Sequence, residues 1–423
     1  MVWKDWLSYF IWYKNQLIAA TFSNFVNLPD NPAILHMPEP LILYIPRWYP
    51  SKEDPMLGLF VRKHAQAAID AGYRVTVVYA FATKNRHPEE TYHLNLTKIG
   101  ELLEVTIAYR PAKGILGIIR QLKAWKKAIE KAQQLEGNPA IIHAHVLTRT
   151  GLLAWFYGRK YHIPYLITEH WSRYYPENMQ FKGIIRRMIT QWVLNKAKKV
   201  TVVSQRLSES MRSRGLRFNP EILPNVVDTR LFSPIPKAIK SRKKIVSITC
   251  FEEKSKNLFM LIDAFKLLLA EKVDAQLILI GEGADLERTK SYVKETGFST
   301  SEVTFTGMLE NERLGEQLQS ADCLVLSSNY ETFAIVAFES LACGVPVVVT
   351  DVADLSHHIE SFMGRVVPTK DTQAFKNALF DVLSHPDEFQ PEEMRNYVIS
   401  HFSKEAITSQ LDHLYKPLLP KQS

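Results

Sequence analysis

The sequence predicts an α/β protein with two doubly wound domains facing a central cleft. Short apolar runs alternate with segments of helical period along most of the chain, which is the pattern of βαβ units and parallel sheets. The alternation breaks once, at the proline-marked basic segment FSPIPKAIKSRKK (232–244), and then resumes. The 423 residues also exceed the roughly 250–300 that a single core holds. The expected units are an N-terminal extension at 1–36, a first domain at 37–235, a second at 236–402, and a C-terminal helix and tail at 403–423.

In the first domain LILYI (41–45), VTVVYA (75–80), AIIHAHV (140–146), YLITEH (165–170) and VTVVS (200–204) read as buried strands. FVRKHAQAAIDAG and RQLKAWKKAIEKAQQ carry helical period between them. Past the linker the strands are IVSIT, AQLILIGEG, EVTFTG, DCLVLSS and VPVVVT, and FSKEAITSQLDHLYKPLL reads as a closing helix. The first 36 residues place Trp3, Trp6, Phe10, Tyr13 and Leu17 at helical spacing. They are either an interfacial amphipathic helix or an appendage ahead of a start at Met37.

A composition of 46% hydrophobic and 23% charged residues is that of a globular protein. Cys250, Cys323 and Cys343 lie in apolar contexts without paired spacing. They are expected to be small core residues of a reducing compartment, with no disulfide or zinc framework. No secretory signal or run long enough to span a bilayer is seen, so the cytoplasm is the expected location. The net charge of +8 is unevenly spread: from Glu101 to Arg217 there are 21 Lys and Arg against 7 Asp and Glu. Anionic lipid, nucleic acid or a phosphorylated substrate would each suit that excess, as would a solvated surface.

Glu331 and Glu339 stand eight residues apart in NYETFAIVAFESLACGVPVVVTD, between apolar neighbours. A carboxylate in a loop and another two turns into the next helix can face one groove. There they would accept hydrogen bonds from sugar hydroxyls, while the helix N-terminus would receive a phosphate. This combination suits a nucleotide sugar.

With that segment in place, the chain resembles glycosyltransferase family 4 of the GT-B fold from about Leu41 to Leu418. The motifs occur in order: IPRWYPSKEDPMLGLFV, IIHAHVLTRTG, ITEH, ILPNVVDTRLF, LILIGEG, TFTG and YETFAIVAFESLACGVPVVVTD. The resemblance implies that the second domain holds a UDP- or GDP-sugar and the first a glycan or lipid-linked acceptor. It also implies transfer with retention of configuration. Glu339 would then bind the ribose hydroxyls, Glu331 would face the donor sugar, and Phe333, Ala334, Ile335 and Val336 would open the helix that meets the diphosphate. Lys256 resembles the lysine on the departing diphosphate, and Lys254, two residues away in an extended segment, would point to the same side. His145 resembles the histidine near the reacting centre. Gly58 would allow close approach of backbone to acceptor or phosphate, and Glu169 and His170 would line the acceptor side.

The chain departs from the family pattern at several positions. Cys250 stands near the place of an arginine. Ala353 and Asp354 replace a glycine pair, Ser356 and His357 replace the following Pro-Glu, and Val226 stands where the family has glycine. With an aspartate and Cβ-bearing residues there, the loop after Asp351 is not expected to contact phosphate, and the missing arginine is expected to weaken leaving-group stabilisation.

No Asp-x-Asp occurs, so no catalytic metal and no cofactor are expected. Leaving-group charge would fall to Lys256 and the helix terminus, and the leaving phosphate would take the acceptor proton. In RPAKGILGIIRQLKAWKKAIEKAQ, Ile115, Ile118, Ile119, Leu122, Trp125 and Ile129 share one face, with Arg120, Lys123, Lys127 and Lys131 largely on another. The helix either meets an anionic membrane surface, on the inner face of the plasma membrane, or packs its apolar face on the sheet. A non-catalytic nucleotide-sugar binding subunit and a nucleotide-sugar epimerase are the alternatives in function. A nucleic-acid partner is not expected, because no recognised module accompanies the basic helix.

Overall fold

The computed structural model describes residues 39–84, 90–147, 149–178, 180–236 and 242–420. The aromatic segment at 1–36 and the alternative start at Met37 lie outside them. Runs of apolar, β-branched residues form fully buried strands, such as β1 (Leu41–Pro46), because helices cover both sheet faces. The first sheet comprises β1, β2 (Arg74–Ala82), β3 (Tyr92–Ile99), β4 (Leu102–Tyr109), β5 (Ile141–His145), β6 (Tyr165–Glu169), β7 (Lys199–Val202) and β8 (Glu221–Ile222). Their order is β3-β4-β2-β1-β5-β6-β7-β8. Its helices are α1 (Leu59–Asp70), α2 (Gly114–Glu136), α3 (Arg149–Tyr161), α4 (Ile184–Lys196) and α5 (Gln205–Ser213).

The antiparallel hairpin β3–β4 departs from simple double winding. A two-residue turn, Gly100-Glu101, with Gly100 at φ 59°, joins Ile99 to its partner Leu102. This is hairpin chemistry on the edge of the sheet.

The second sheet is wholly parallel, in the order β11-β10-β9-β12-β13-β14. It comprises β9 (Lys243–Ile248), β10 (Ala275–Ile280), β11 (Val303–Gly307), β12 (Cys323–Leu326), β13 (Val347–Thr350) and β14 (Gly364–Val367). The intervening and following helices are α6 (Glu253–Lys256), α7 (Leu258–Ala270), α8 (Leu286–Glu295), α9 (Asn311–Gln319), α10 (Ile335–Ala342), α11 (Leu355–His358), α12 (Thr372–Ser384), α13 (Pro391–Phe402) and α14 (Lys404–Tyr415).

The final helix crosses back and packs on α1 of the first sheet. Tyr73 donates to Asp412 at 2.9 Å and Thr408 to the Ala67 carbonyl at 3.1 Å. The Tyr415 hydroxyl bonds both Tyr44 and His143 at 2.7 Å.

Of the three cysteines, Cys323 and Cys343 are buried as expected, but Cys250 is exposed. It falls beyond the end of β9, in the loop leading to α6, so it is not a core residue.

Candidate active site

Each sheet has one point where the chain reverses its winding, and ligands of open α/β sheets bind beyond the strand ends at such points. In the second sheet it lies between β9 and β12. The loops leaving these two strands carry Lys256 and Glu331, which form an ion pair. Several bonds hold the loops together. Asn329 N donates to the Ser255 carbonyl at 2.7 Å, Asn329 Nδ2 to the Lys254 carbonyl at 3.0 Å, and Ser327 Oγ to the Lys256 carbonyl at 2.8 Å. Ser328 Oγ donates to Glu331 at 2.8 Å. Burial draws the Lys256 ammonium down, but Glu331 and the nearby Cys250 and Glu252 outweigh it and leave its pKa above the ordinary lysine value.

Lys254 does not join Lys256. The segment is a helical turn rather than an extended strand, so residues two apart point roughly 200° apart, and Lys254 is exposed.

After Glu331 the chain enters α10 through Ala334 in a left-handed conformation (φ 57°), and no side chain caps the helix. Ile335 and Val336 therefore begin the helix, with its N–H groups and positive dipole end open to an anion. The Phe333 ring turns inward, 5.1 Å from Phe338 and 5.5 Å from Phe402, and anchors this entry. About one turn into the helix, Glu339 is buried with its carboxylate 3.5 Å from Lys63 Nζ of α1, across the cleft. Burial raises the Glu339 pKa against the opposing pull of Lys63.

The loop after β13 corrects one expectation. Ala353 adopts φ 51°, so the left-handed turn exists without glycine. The Asp354 carboxylate is turned away to the other domain, where it accepts from the backbone N–H groups of Gln205 and Arg206 at the start of α5. Ser204 Oγ takes the N–H of Leu207 at 3.3 Å, and Arg206 pairs with Asp351 at 3.3 Å.

The first sheet reverses between β1 and β5. His145 ends β5, fully buried. Its Nδ1 lies 3.1 Å from His170 Nε2, and its Nε2 has no partner among the described residues. His64 of α1 sits beside both, with its Nε2 2.8 Å from the Pro224 carbonyl. Burial pushes His64 down to about 4 and holds His145 and His170 well below the usual histidine value, so all three are neutral near pH 7.

Glu169 is not presented to an acceptor. It is fully buried and accepts from the N–H groups of Leu147, His170 and Trp171 at 3.1, 2.9 and 2.9 Å and from the Tyr174 hydroxyl at 2.9 Å. Arg173 lies 3.5 Å away. This carboxylate is saturated and stiffens the strand end. Gly58 makes its close approach to its own chain: at φ 69°, a Cβ there would lie 2.3 Å from the Trp48 carbonyl oxygen.

Lys63, His64 and Arg206 are site residues that the sequence reading missed. His64 had a signal, because it falls three residues after Val61 and one before Ala65 on the buried stripe of α1, where a polar side chain needs a reason.

The basic helix divides in two. Trp125 and Ile129 are buried, while Ile115, Ile118, Ile119 and Leu122 are exposed, Ile115 by 76%. Lys123 and Lys127 are exposed, whereas Arg120 and Lys131 are half-buried. Arg120 donates to the carbonyls of Arg110 and Pro111, both at 3.3 Å. Among the described residues no helix is long and apolar enough to cross a membrane.

Two family models together match residues 57–401: that for Glycosyltransferase Family 4 matches residues 57–231 and that for Glycosyl transferases group 1 matches 229–401. The chain belongs to the group 1, family 4 glycosyltransferases. Among relatives of this glycosyltransferase, a putative teichuronic acid biosynthesis glycosyltransferase of Bacillus subtilis is 24% identical over 360 residues, 80% of this chain and 88% of that protein. A GDP-mannose-dependent phosphatidylinositol dimannoside mannosyltransferase of Mycobacterium tuberculosis is 31% identical over 180 residues, 40% of this chain and 45% of that one.

Of solved structures, a sucrose-phosphate synthase from Thermosynechococcus elongatus superposes with TM-score 0.72 at 23% identity, covering 90% of this chain and 99% of that one. HepE of Anabaena, in complex with UDP and glucose, superposes with TM-score 0.67 at 16% identity over 89% and 99%. The glycosyltransferase has the GT-B fold.

Proposed function

We propose that this glycosyltransferase moves a sugar from a UDP- or GDP-linked donor to a glycan or lipid-linked acceptor, with retention of configuration and without a catalytic metal, in the making of surface polysaccharide or glycolipid. The observation that carries the reading is the constellation at the reversal point of the second sheet. There a lysine and a carboxylate meet beside an uncapped helix N-terminus, with a buried glutamate about one turn along.

A sugar diphosphate breaks its anomeric bond as negative charge gathers on the leaving group. Lys256 and the N–H groups of Ile335 and Val336 would oppose that charge in a site shielded from bulk water. Glu339 would exchange Lys63 for the ribose hydroxyls. Glu331, held by Ser328, would accept from the sugar, and the unpartnered His145 Nε2 would reach it from the first domain. No base is placed on the acceptor side, so the departing phosphate would take the acceptor proton. The donor class is supported by relatives and neighbours whose names carry GDP-mannose and UDP.

A lipid-linked acceptor is supported by the face that carries α2 and α4. Right-handed crossovers place α2, α3 and α4 on one side of the first sheet. Gln121 accepts from Arg149 at 2.6 Å and Trp155 packs on Trp192, joining the three helices. Their cleft-side ends expose Ile115, Ile118, Leu122, Ile184, Ile185 and Met188 among Lys123, Lys182, Arg186 and Arg187. Exposed apolar side chains set among cations suit an anionic bilayer surface.

Calorimetry with UDP and GDP in chelator, followed by transfer assays over a panel of UDP- and GDP-sugars, tests the proposal. Binding without magnesium or manganese and an axial-to-axial product by NMR are expected. Binding that required either metal would refute the phosphate site as drawn.

A further inference from the structure

We propose that His64, His145 and His170 form a binding site for a divalent transition-metal ion of the zinc class. The three rings come from separate elements, α1, the end of β5 and the residue after β6, and are 0, 0 and 5% exposed. One nitrogen from each lies within 4.8 Å of one from each of the others. In each ring one buried nitrogen lacks a partner among the described residues: His64 Nδ1, His145 Nε2 and His170 Nδ1.

The Pro224 carbonyl can only accept, so His64 Nε2 carries that ring's hydrogen and Nδ1 is a bare lone pair. His145 and His170 share one proton between Nδ1 and Nε2, and their second proton must sit on an outer nitrogen. The cluster therefore holds a bare lone pair on His64, a second bare lone pair and an N–H on the outer positions, all buried without partners. Leaving such groups unmatched costs about 1–3 kcal/mol each.

An ion in place of the shared proton relieves part of this. The 3.1 Å between His145 Nδ1 and His170 Nε2 is close to the roughly 3.3 Å between two ligands bonded tetrahedrally at about 2.0–2.1 Å. The displaced proton moves to the vacant outer nitrogen, so both rings stay neutral and no proton need be released. His64 contributes Nδ1, already oriented by its bond to Pro224, as second-shell partners orient ligating histidines. The fourth position falls to water or an anion.

An all-imidazole set selects zinc, copper, nickel or cobalt over magnesium and calcium. Phe60, with its ring 4.4 Å from His170, and His143, 4.1 Å from His145, wall the site. The transfer proposed above needs no metal. An ion on Nδ1 would instead fix the His145 proton on Nε2, so that this nitrogen could no longer accept from the donor sugar, and would inhibit the enzyme, a consequence that rests on the reading of His145 above.

Binding is therefore measured first without donor. Full-length protein stripped with chelator is titrated with Co2+ and then Zn2+. One equivalent of Co2+ giving the strong visible bands of a four-coordinate ion, displaced by Zn2+, is expected. His64→Gln and His170→Gln, shown folded by circular dichroism, should each weaken binding at least about tenfold. If either variant does not fold, X-ray absorption of the zinc-loaded parent should count three imidazoles. Failure to bind one equivalent, binding indifferent to both variants, or fewer than three imidazoles would overturn the proposal. Transfer by the parent should then fall as Zn2+ saturates the site, and much less so in His64→Gln. Tight binding with no inhibition would leave the metal site standing and remove the donor sugar from His145.

Discussion

At Gly58 a single hydrogen in place of a side chain decides the path of the loop after β1. A Cβ would strike the Trp48 carbonyl at 2.3 Å in a left-handed backbone, and Gly58→Ala is expected to cost roughly 1–3 kcal/mol in backbone strain alone, read as a lower midpoint in thermal unfolding. Lys256 and Glu339 bear on function, and they should separate kinetically. Lys256→Ala removes charge that matters most as the diphosphate departs, so turnover should fall more than donor affinity. Glu339→Gln should weaken donor binding about tenfold or more, since a charged hydrogen bond contributes roughly 1.5–3 kcal/mol, and it should not destabilise the fold. The sign follows from the raised pKa of Glu339. Between the unfolded and folded values the native state holds a proton that the unfolded chain has lost, so stability falls as pH rises through that window. The neutral amide escapes this penalty, and its thermal midpoint at pH 7 should equal or exceed the parent's. A lower midpoint with unchanged donor affinity would make Glu339 a structural residue paired with Lys63.

The start of α5 shows how a departure from family pattern can acquire a different use. Its first three N–H groups are taken by Asp354 and Ser204, one acceptor from each domain. Removing such a cap costs about 1 kcal/mol, so Asp354→Ala should lower stability by that order, while Asp354→Asn, which keeps an acceptor, should lose less. Equal losses in calorimetric unfolding would mean that the bonds to Gln205 and Arg206 contribute little. Sequence alone gives Asp354 no such partner, because the chain separation is 149 residues. The strands were easier to read: β1, β12 and β13 are continuous or nearly continuous apolar runs that only a doubly covered sheet accommodates, and β5 and β6 begin as such runs before their polar ends. The hairpin β3–β4 was legible in principle from Gly100 between two alternating segments, yet its exposed, polar-faced β3 lacks the apolar run that marked the others. The turn at Glu253–Lys256 was misread as extended because four residues are too few to show a period. Glu169 kept the right position but not the right role, since four of its donors come from the turn it organises and the fifth, the Leu147 N–H, from the loop after β5.

Over the whole molecule, charge and exposed apolar surface coincide. The basic stretch from Glu101 to Arg217 contains the helices whose cleft-side ends expose Ile115, Ile118, Leu122, Ile184 and Met188. Vesicles rich in anionic lipid should sediment the protein, less so as salt rises past 0.1 M, where the Debye length is about 10 Å. Replacing Lys123 and Lys127 by Gln should weaken that binding, by roughly 1 kcal/mol for each charge near the surface, with donor hydrolysis unchanged; retention equal to the parent's at every salt concentration would count against the docking face. The final helix has a further consequence, in the order of synthesis. Tyr415 closes on Tyr44 and His143, and Asp412 on Tyr73, so the first domain to leave the ribosome is completed by the last helix to emerge. Until then α1 lacks its cover, and the growing chain carries an unfinished domain through the making of the second. A chain ended at Ser403 should be cut within α1 by protease at concentrations that leave the full-length protein intact, and a nascent chain should pull on the ribosome only once Tyr415 has cleared the exit.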